Sequence, residues 1–323
     1  MSKLGTAICR LLLAASLACG SVSAEPIFTV VDYPGATDTA LWDVNNSGTA
    51  VGWAVSAGRA FGITYTGGIF SVVAAPDAAA VSWGALGISD SGIVVGSWNR
   101  GERDSSGRPI GEIGYILEGG VYTPFAIAGA VNTFLRAISP DGRYISGNFE
   151  TAGAGSQGFV YDRLLGTLTL IGDPFNFTIA QGITNGGVVV GSEFPIGGFI
   201  VEVTTGTRTN LDAGGPGVTR PRAIDSSGEL AGWITGPGGV QGFFGTLGDF
   251  TLFSVPGADS TFAEGNNDLG WIVGEFIDTE GRVHGFVMMR VPEPGVLSLV
   301  CIGGLLLFAV RRLSLRAPAS SVR

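Results

Sequence analysis

Six times between Asn45 and Gly274 the chain sets a tight turn before a short apolar strand that stops on glycine. The copies read N-N-S-G-T-A-V-G (Asn45 to Gly52), S-D-S-G-I-V-V-G (Ser89 to Gly96) and S-P-D-G-R-Y-I-S-G (Ser139 to Gly147). T-N-G-G-V-V-V-G (Thr184 to Gly191), D-S-S-G-E-L-A-G (Asp225 to Gly232) and N-N-D-L-G-W-I-V-G (Asn266 to Gly274) follow. Their closing glycines lie 44, 51, 44, 41 and 42 residues apart. A period near this length marks one supersecondary unit repeated, not two unlike domains. Asn, Asp or Ser before Gly bonds its own backbone and permits a left-handed residue, so each copy opens on a hairpin turn.

Two further strands belong to each unit. After each core comes a small residue and an aromatic, as in A-F-G-I-T-Y at Ala60, G-Y-I-L at Gly114, G-F-V-Y at Gly158, G-F-I-V at Gly198, G-F-F-G at Gly242 and G-F-V-M at Gly285. Another strand precedes each core, and F-T-V-V-D-Y-P-G-A from Phe28 closely matches F-T-L-F-S-V-P-G-A from Phe250. With 54 glycines, 45% hydrophobic residues and no helical period, the reading is all-β with dense turns. Six units of three or four antiparallel strands predict a six-bladed β-propeller over residues 25–290, whose closure removes exposed edges. An open β-solenoid or stacked sandwich is the other architecture this pattern allows.

The ends read as addresses. Residues 1–24 have the layout of a signal peptide. Lys3 and Arg10 supply charge, Leu11 to Ala18 an apolar helix core, and Val22 to Ala24 small residues before a cut at Glu25. Residues 291–323 begin V-P-E-P-G, continue as an uncharged run from Val296 to Val310 and reach Arg311 and Arg312. A transmembrane helix over about 295–312 follows. It is short for a permanent span, with its arginines on the cytoplasmic side and the body outside.

Charge and reactive residues narrow the chemistry. Between Glu25 and Glu293 the chain carries 12 basic residues against 27 acidic ones, a net charge of −15. Such a body repels phosphate backbones, so nucleic acid is not an expected partner. Cys9, Cys19 and Cys301 all lie in the terminal apolar segments, Lys3 is the only lysine and His284 the only histidine. Disulfides, thiolate or Schiff-base catalysis and the usual transition-metal sites are therefore not expected in the body, and no cofactor motif appears. The periodic Asp and Asn residues lack the spacing of a calcium loop and read as turn chemistry.

Function in a repeat is sought where equivalent positions differ. Just before each core's apolar pair stand Trp42, Leu86, Arg136, Gln181, Arg222 and Glu264. If the strand before the core lines the axis, these six gather at one mouth. There Arg136, Arg222, Gln181, Glu264 and Trp42 would bind a glycan through charge, hydrogen bonds and stacking. The plainer reading is a variable solvated position on an alternating strand. Carboxylates such as Asp43, Glu264 and Glu275 keep a hydrolytic, carbohydrate-active propeller open as an alternative. The insertion Asn99 to Glu112 reads as an exposed connector or a binding loop.

Two resemblances rest on these residues. Pro292, Glu293, Pro294 and Gly295, then the apolar helix, then Arg311 and Arg312, resemble the PEP-CTERM sorting signal of Gram-negative bacteria, though Leu313 to Arg323 is a longer tail than usual. That resemblance implies export, a transient stay in the inner membrane, processing by an exosortase, and delivery to the cell surface or an extracellular matrix rich in polysaccharide. The cores resemble the HAF family of extracellular repeats, with R-A-F at Arg59, Q-G-F at Gln157 and Gln241, and H-G-F at His284 as its tripeptide. That family implies no catalytic residues. The expectation is a non-catalytic envelope or matrix interaction protein.

Overall fold

A computed structural model describes residues 26–153, 155–173, 175–212, 217–236 and 239–290. The expected signal peptide, the transmembrane helix and the sorting residues Pro292 to Gly295, Arg311 and Arg312 lie outside the described residues. Among those described, no helix is long and apolar enough to cross a membrane. Residues 28–289 form one compact unit, and its regular elements are 24 strands.

The strands fall into antiparallel sets of four. The first strands of the sets are Asp38–Val44, Ser82–Ile88, Ala130–Ile138, Phe177–Ile183, Val218–Ile224 and Ala258–Asn266. Each packs against its counterpart in the next set, and the last packs against the first, so these are the inner strands of a ring. The second strands are Thr49–Ser56, Val94–Asn99, Tyr144–Thr151, Val188–Phe194, Leu230–Gly236 and Trp271–Asp278. Third come Arg59–Thr66, Ile113–Glu118, Ser156–Asp162, Gly197–Glu202, Gly239–Thr246 and Val283–Met289. Fourth are Ile69–Val72, Val121–Phe125, Thr167–Ile171, Thr207–Leu211 and Asp249–Phe253. The last set takes its fourth strand from the start of the chain, Ile27–Val31. The sequence likeness between the Phe28 and Phe250 stretches is thus a likeness of two outer strands.

The core glycines and aromatics form one device. Each closing glycine of a second strand lies opposite the aromatic position of the third: Gly96 opposite Tyr115, Gly147 opposite Phe159, Gly191 opposite Phe199, Gly232 opposite Phe243 and Gly274 opposite Phe286. Those five rings are fully buried between neighbouring sheets. A Cβ at Gly191 would lie 2.1 Å from the Ile179 carbonyl oxygen and 2.7 Å from the Phe199 ring. Only glycine lets the inner strand and the ring approach so closely. In the first set Gly52 lies opposite Ile63. The unit equivalent to His284-Gly285-Phe286 is therefore Phe61-Gly62-Ile63, and the R-A-F tripeptide at Arg59 stands two residues out of register.

The Asx and Ser/Thr residues work as turn chemistry. The Asn45 Oδ1 accepts the N–H groups of Ser47 (3.1 Å) and Thr49 (3.0 Å). Asp225 and Asn267 close their turns the same way, and Ser89, Ser139 and Thr184 use hydroxyl oxygens. Neighbouring turns are also joined. Ser226 N–H donates to Asp268, Asp268 N–H to Asn46, Asn46 N–H to Asp90 and Asp141 N–H to Asn185, all at 2.8–2.9 Å. The turns form a hydrogen-bonded belt at the end where the inner strands finish.

Candidate functional site: an axial funnel

Each inner strand is interrupted by a β-bulge at one repeat-equivalent place. In the first set Leu41 pairs with Gly52 and Asp43 with Val51, which leaves Trp42 out of the ladder. The same slip leaves out Leu86, Arg136, Arg222 and Glu264, and in the fourth set Gln181 with Gly182. A bulge frees one residue from pairing and re-aims its side chain. Here six bulges aim six side chains at one place. Trp42, Leu86, Arg136, Gln181, Arg222 and Glu264 all line a single narrow funnel with about 50 Å³ of interior open to water-sized groups. That interior has room for a few waters or one small charged group, with the rest of any ligand at the mouth. The insertion Asn99 to Glu112 does not line it. Its Arg108 instead pairs with Glu150 (2.7 Å).

Trp42 is the platform of the funnel. The Arg222 guanidinium lies 4.8 Å from its ring centroid and that of Arg136 6.0 Å away. Cations over an indole ring are attracted by its quadrupole, the more so when water is excluded. Arg222 also forms a buried ion pair with Glu264. Burial raises the Glu264 carboxyl above its ordinary range despite the pull of that arginine.

Arg136 is held differently. Its Nε donates to Asn148 Oδ1 (2.9 Å) and its guanidinium lies 4.8 Å from the Phe134 ring. Among the described residues no carboxylate stands at ion-pair distance from it, and its terminal N–H groups meet no protein acceptor. Burial and the neighbouring Arg222 charge bring its pKa down to about 10. It remains a cation at neutral pH. Gln181, only 4% exposed, likewise has no hydrogen-bond partner for its side-chain amide among the described residues.

The three carboxylates suggested for catalysis divide. Asp43 lines the funnel, but its two oxygens accept the Val44 and Ile88 N–H groups at 2.8 and 2.9 Å. Burial pushes it up to about 7 against those bonds. Glu264 is committed to Arg222. Glu275, on the second strand of the last set, does not line the funnel. Its Oε2 is buried without a hydrogen-bond partner, and burial, with the Glu264 charge adding to it, takes it up to about 7. Sequence reasoning missed Asn148, which orients Arg136, and the turn carboxylates Asp90, Asp225 and Asp268 at the rim. The belt residues were visible as turn formers, but nothing local showed that six turns ring one opening.

No protein-family model and no curated protein sequence matches the chain. Solved structures do. A luciferin-regenerating enzyme shares 13% identity at a TM-score of 0.52, over 83% of this chain and 96% of its own. TolB from Agrobacterium tumefaciens shares 15% at 0.50, over 66% and 75%. The β-propeller domain of the Trilobed protease from Pyrococcus furiosus shares 9% at 0.46, over 77% and 95%. The fold is a β-propeller. At such identities the likeness is one of fold and does not extend to activity.

Proposed function

We propose that this chain is an exported six-bladed β-propeller, closed by its own first strand, that holds extracellular polysaccharide in its axial funnel without cleaving it. The sorting residues Pro292, Glu293 and Pro294 with Arg311 and Arg312 support delivery through an exosortase and a transient stay in the inner membrane. The observation that carries the binding reading is the convergence of six bulge residues, of five different kinds, on one funnel. The repeat keeps its turn and its closing glycine and varies the residue that points at the axis. The non-catalytic reading rests on the state of the funnel's carboxylates. Glu264 is ion-paired, Asp43 is capped by backbone N–H groups, and Asp90, Asp225 and Asp268 are engaged in the belt. A hydrolase needs two carboxyl groups that both reach the sugar.

Two experiments test this. On a polysaccharide array the wild-type protein retains glycan and the Arg136→Ala, Arg222→Ala double variant does not; equal retention removes the funnel from the reading. Separately, the C-terminal mass of the mature protein differs between hosts with and without the exosortase, and one uncleaved mass in both refutes sorting. The rival hydrolytic reading has one observation in its favour, the poised Glu275 beside Glu264. Release of reducing ends by the wild type, lost in Glu275→Gln, would establish it instead.

A further inference from the structure

The funnel holds two arginines and they are not equivalent. Arg222 has its counter-charge in Glu264, whereas Arg136 spends only Nε on a neutral amide and leaves its terminal nitrogens open to the cavity. A half-buried cation without an ion-pair partner is costly to maintain. Nothing in the fold of the repeat requires it, because the same bulge position is occupied by Leu86 in the preceding set. Gln181, from the next inner strand, is a second polar side chain in the same cavity, buried and with no partner for its amide among the described residues. The obvious apolar platform for a sugar, Trp42, already carries both guanidinium groups against its ring. Besides the buried and unpartnered Trp42 Nε1 and Asn266 Oδ1, what the funnel offers a ligand is therefore one planar cationic fork and one amide.

We infer that the funnel recognises a single carboxylate, the uronate group of an acidic sugar, gripped by the open end of Arg136 with the Gln181 amide beside it. This rests on the carbohydrate reading above and names the chemical class it requires. A guanidinium fork matches the two oxygens of a carboxylate in a bidentate hydrogen bond, a geometry that a lysine does not reproduce. One available fork fits one carboxylate. The rim limits the charge further. Asp90, Asp225 and Asp268 at the mouth repel a dense run of anions, so the recognised uronate stands at a chain end or among neutral sugars. Trp42 and the Arg222–Glu264 pair act as positioning groups that hold the cationic wall rigid.

The test titrates the purified full chain with D-glucuronate and D-galacturonate, and with their methyl esters, followed by ligand-observed NMR. At least one free acid binds, and its ester binds at least about tenfold more weakly, as expected for loss of a charged hydrogen bond. Arg136→Met loses the acid by at least about tenfold, and Arg136→Lys, which keeps the charge without the fork, recovers only part of it. Thermal melts check that both variants fold. Acid and ester bound equally, or Arg136→Met binding the acid as the wild type does, overturns the carboxylate assignment. Retention of neutral glycans on the array would leave the carbohydrate reading standing in that case. No binding of any acid, ester or arrayed glycan overturns both.

Discussion

Glu275→Gln offers a test of the axial electrostatics that is independent of any ligand. Glu275 faces Gly285 and Phe262 across its two ladders, its Oε2 is buried without a partner, and its pKa lies at about 7. An unfolded glutamate ionises at about 4.3. Between those values the folded protein keeps a proton that the unfolded chain has released, so this group's contribution to stability falls as pH rises from about 4.3 to about 7. At 1.36 kcal/mol per pKa unit the charged form costs about 4 kcal/mol above pH 7, and about 1 kcal/mol at pH 5. Glutamine is isosteric with the protonated form and never ionises. The variant is therefore stabilised by about 4 kcal/mol at pH 8, or about 8–16 °C in melting temperature for a domain of this size, and far less at pH 5. Circular-dichroism melts of both proteins at pH 5 and pH 8 measure it. The difference between the two pH values isolates charge from packing. A shift of the same size at both, or destabilisation at pH 8 alone, would refute the argument. Asp43, also near 7, leaves part of the wild-type pH dependence in place.

Three other perturbations follow from the packing and pairing. Glu264→Ala leaves the Arg222 guanidinium without its carboxylate, next to the Arg136 cation, and costs about 3–5 kcal/mol. Adding Arg222→Met recovers most of that, and a thermal double-mutant cycle reads the coupling. Gly191→Ala forces a Cβ to 2.1 Å from the Ile179 carbonyl oxygen and destabilises by at least about 3 kcal/mol, visible as a lowered denaturant midpoint. Deleting Ile27–Val31 strips the outer strand from Val283–Met289 and removes Val31 and Phe28 from the core, where Phe28 lies 6.0 and 6.3 Å from Phe253 and Phe286. The bare edge is expected to self-associate in size-exclusion chromatography; a monomer with unchanged stability would show that the ring does not need it.

Much of this architecture is legible in the residues because its determinants are local. Asn45 or Asp225 closes a turn using atoms within four residues, so the turn can be read from the string itself. The Gly–Phe pairing of neighbouring strands is equally visible, since the spacing repeats. The variable position before each core stood out because five of its six occupants are polar or aromatic amid apolar neighbours. What remained hidden depends on separation in sequence. Nothing at Trp42 or Arg136 marks a bulge, because the slip is a relation between two strands. The occupation of the Trp42 ring by Arg222 joins residues 180 positions apart, and it removes the sugar-stacking role expected of that tryptophan. In the first set, Phe61-Gly62-Ile63 escaped because Ile63 replaces the aromatic that flags the other five.

The outer strand of the last sheet has a consequence for the order in which the molecule is made. Ile27–Val31 emerges first and its partner, Val283–Met289, last. A chain that appears N-terminus first, whether from a ribosome or through a translocation pore, can assemble its early sheets one by one. It cannot lock until residue 289 has arrived. Until then the circle is open, its leading segment is still unpaired and available for threading, and the funnel does not exist. Closure is thus a completeness check, in which only a chain that has arrived as far as residue 289 acquires both its rigidity and its axial funnel.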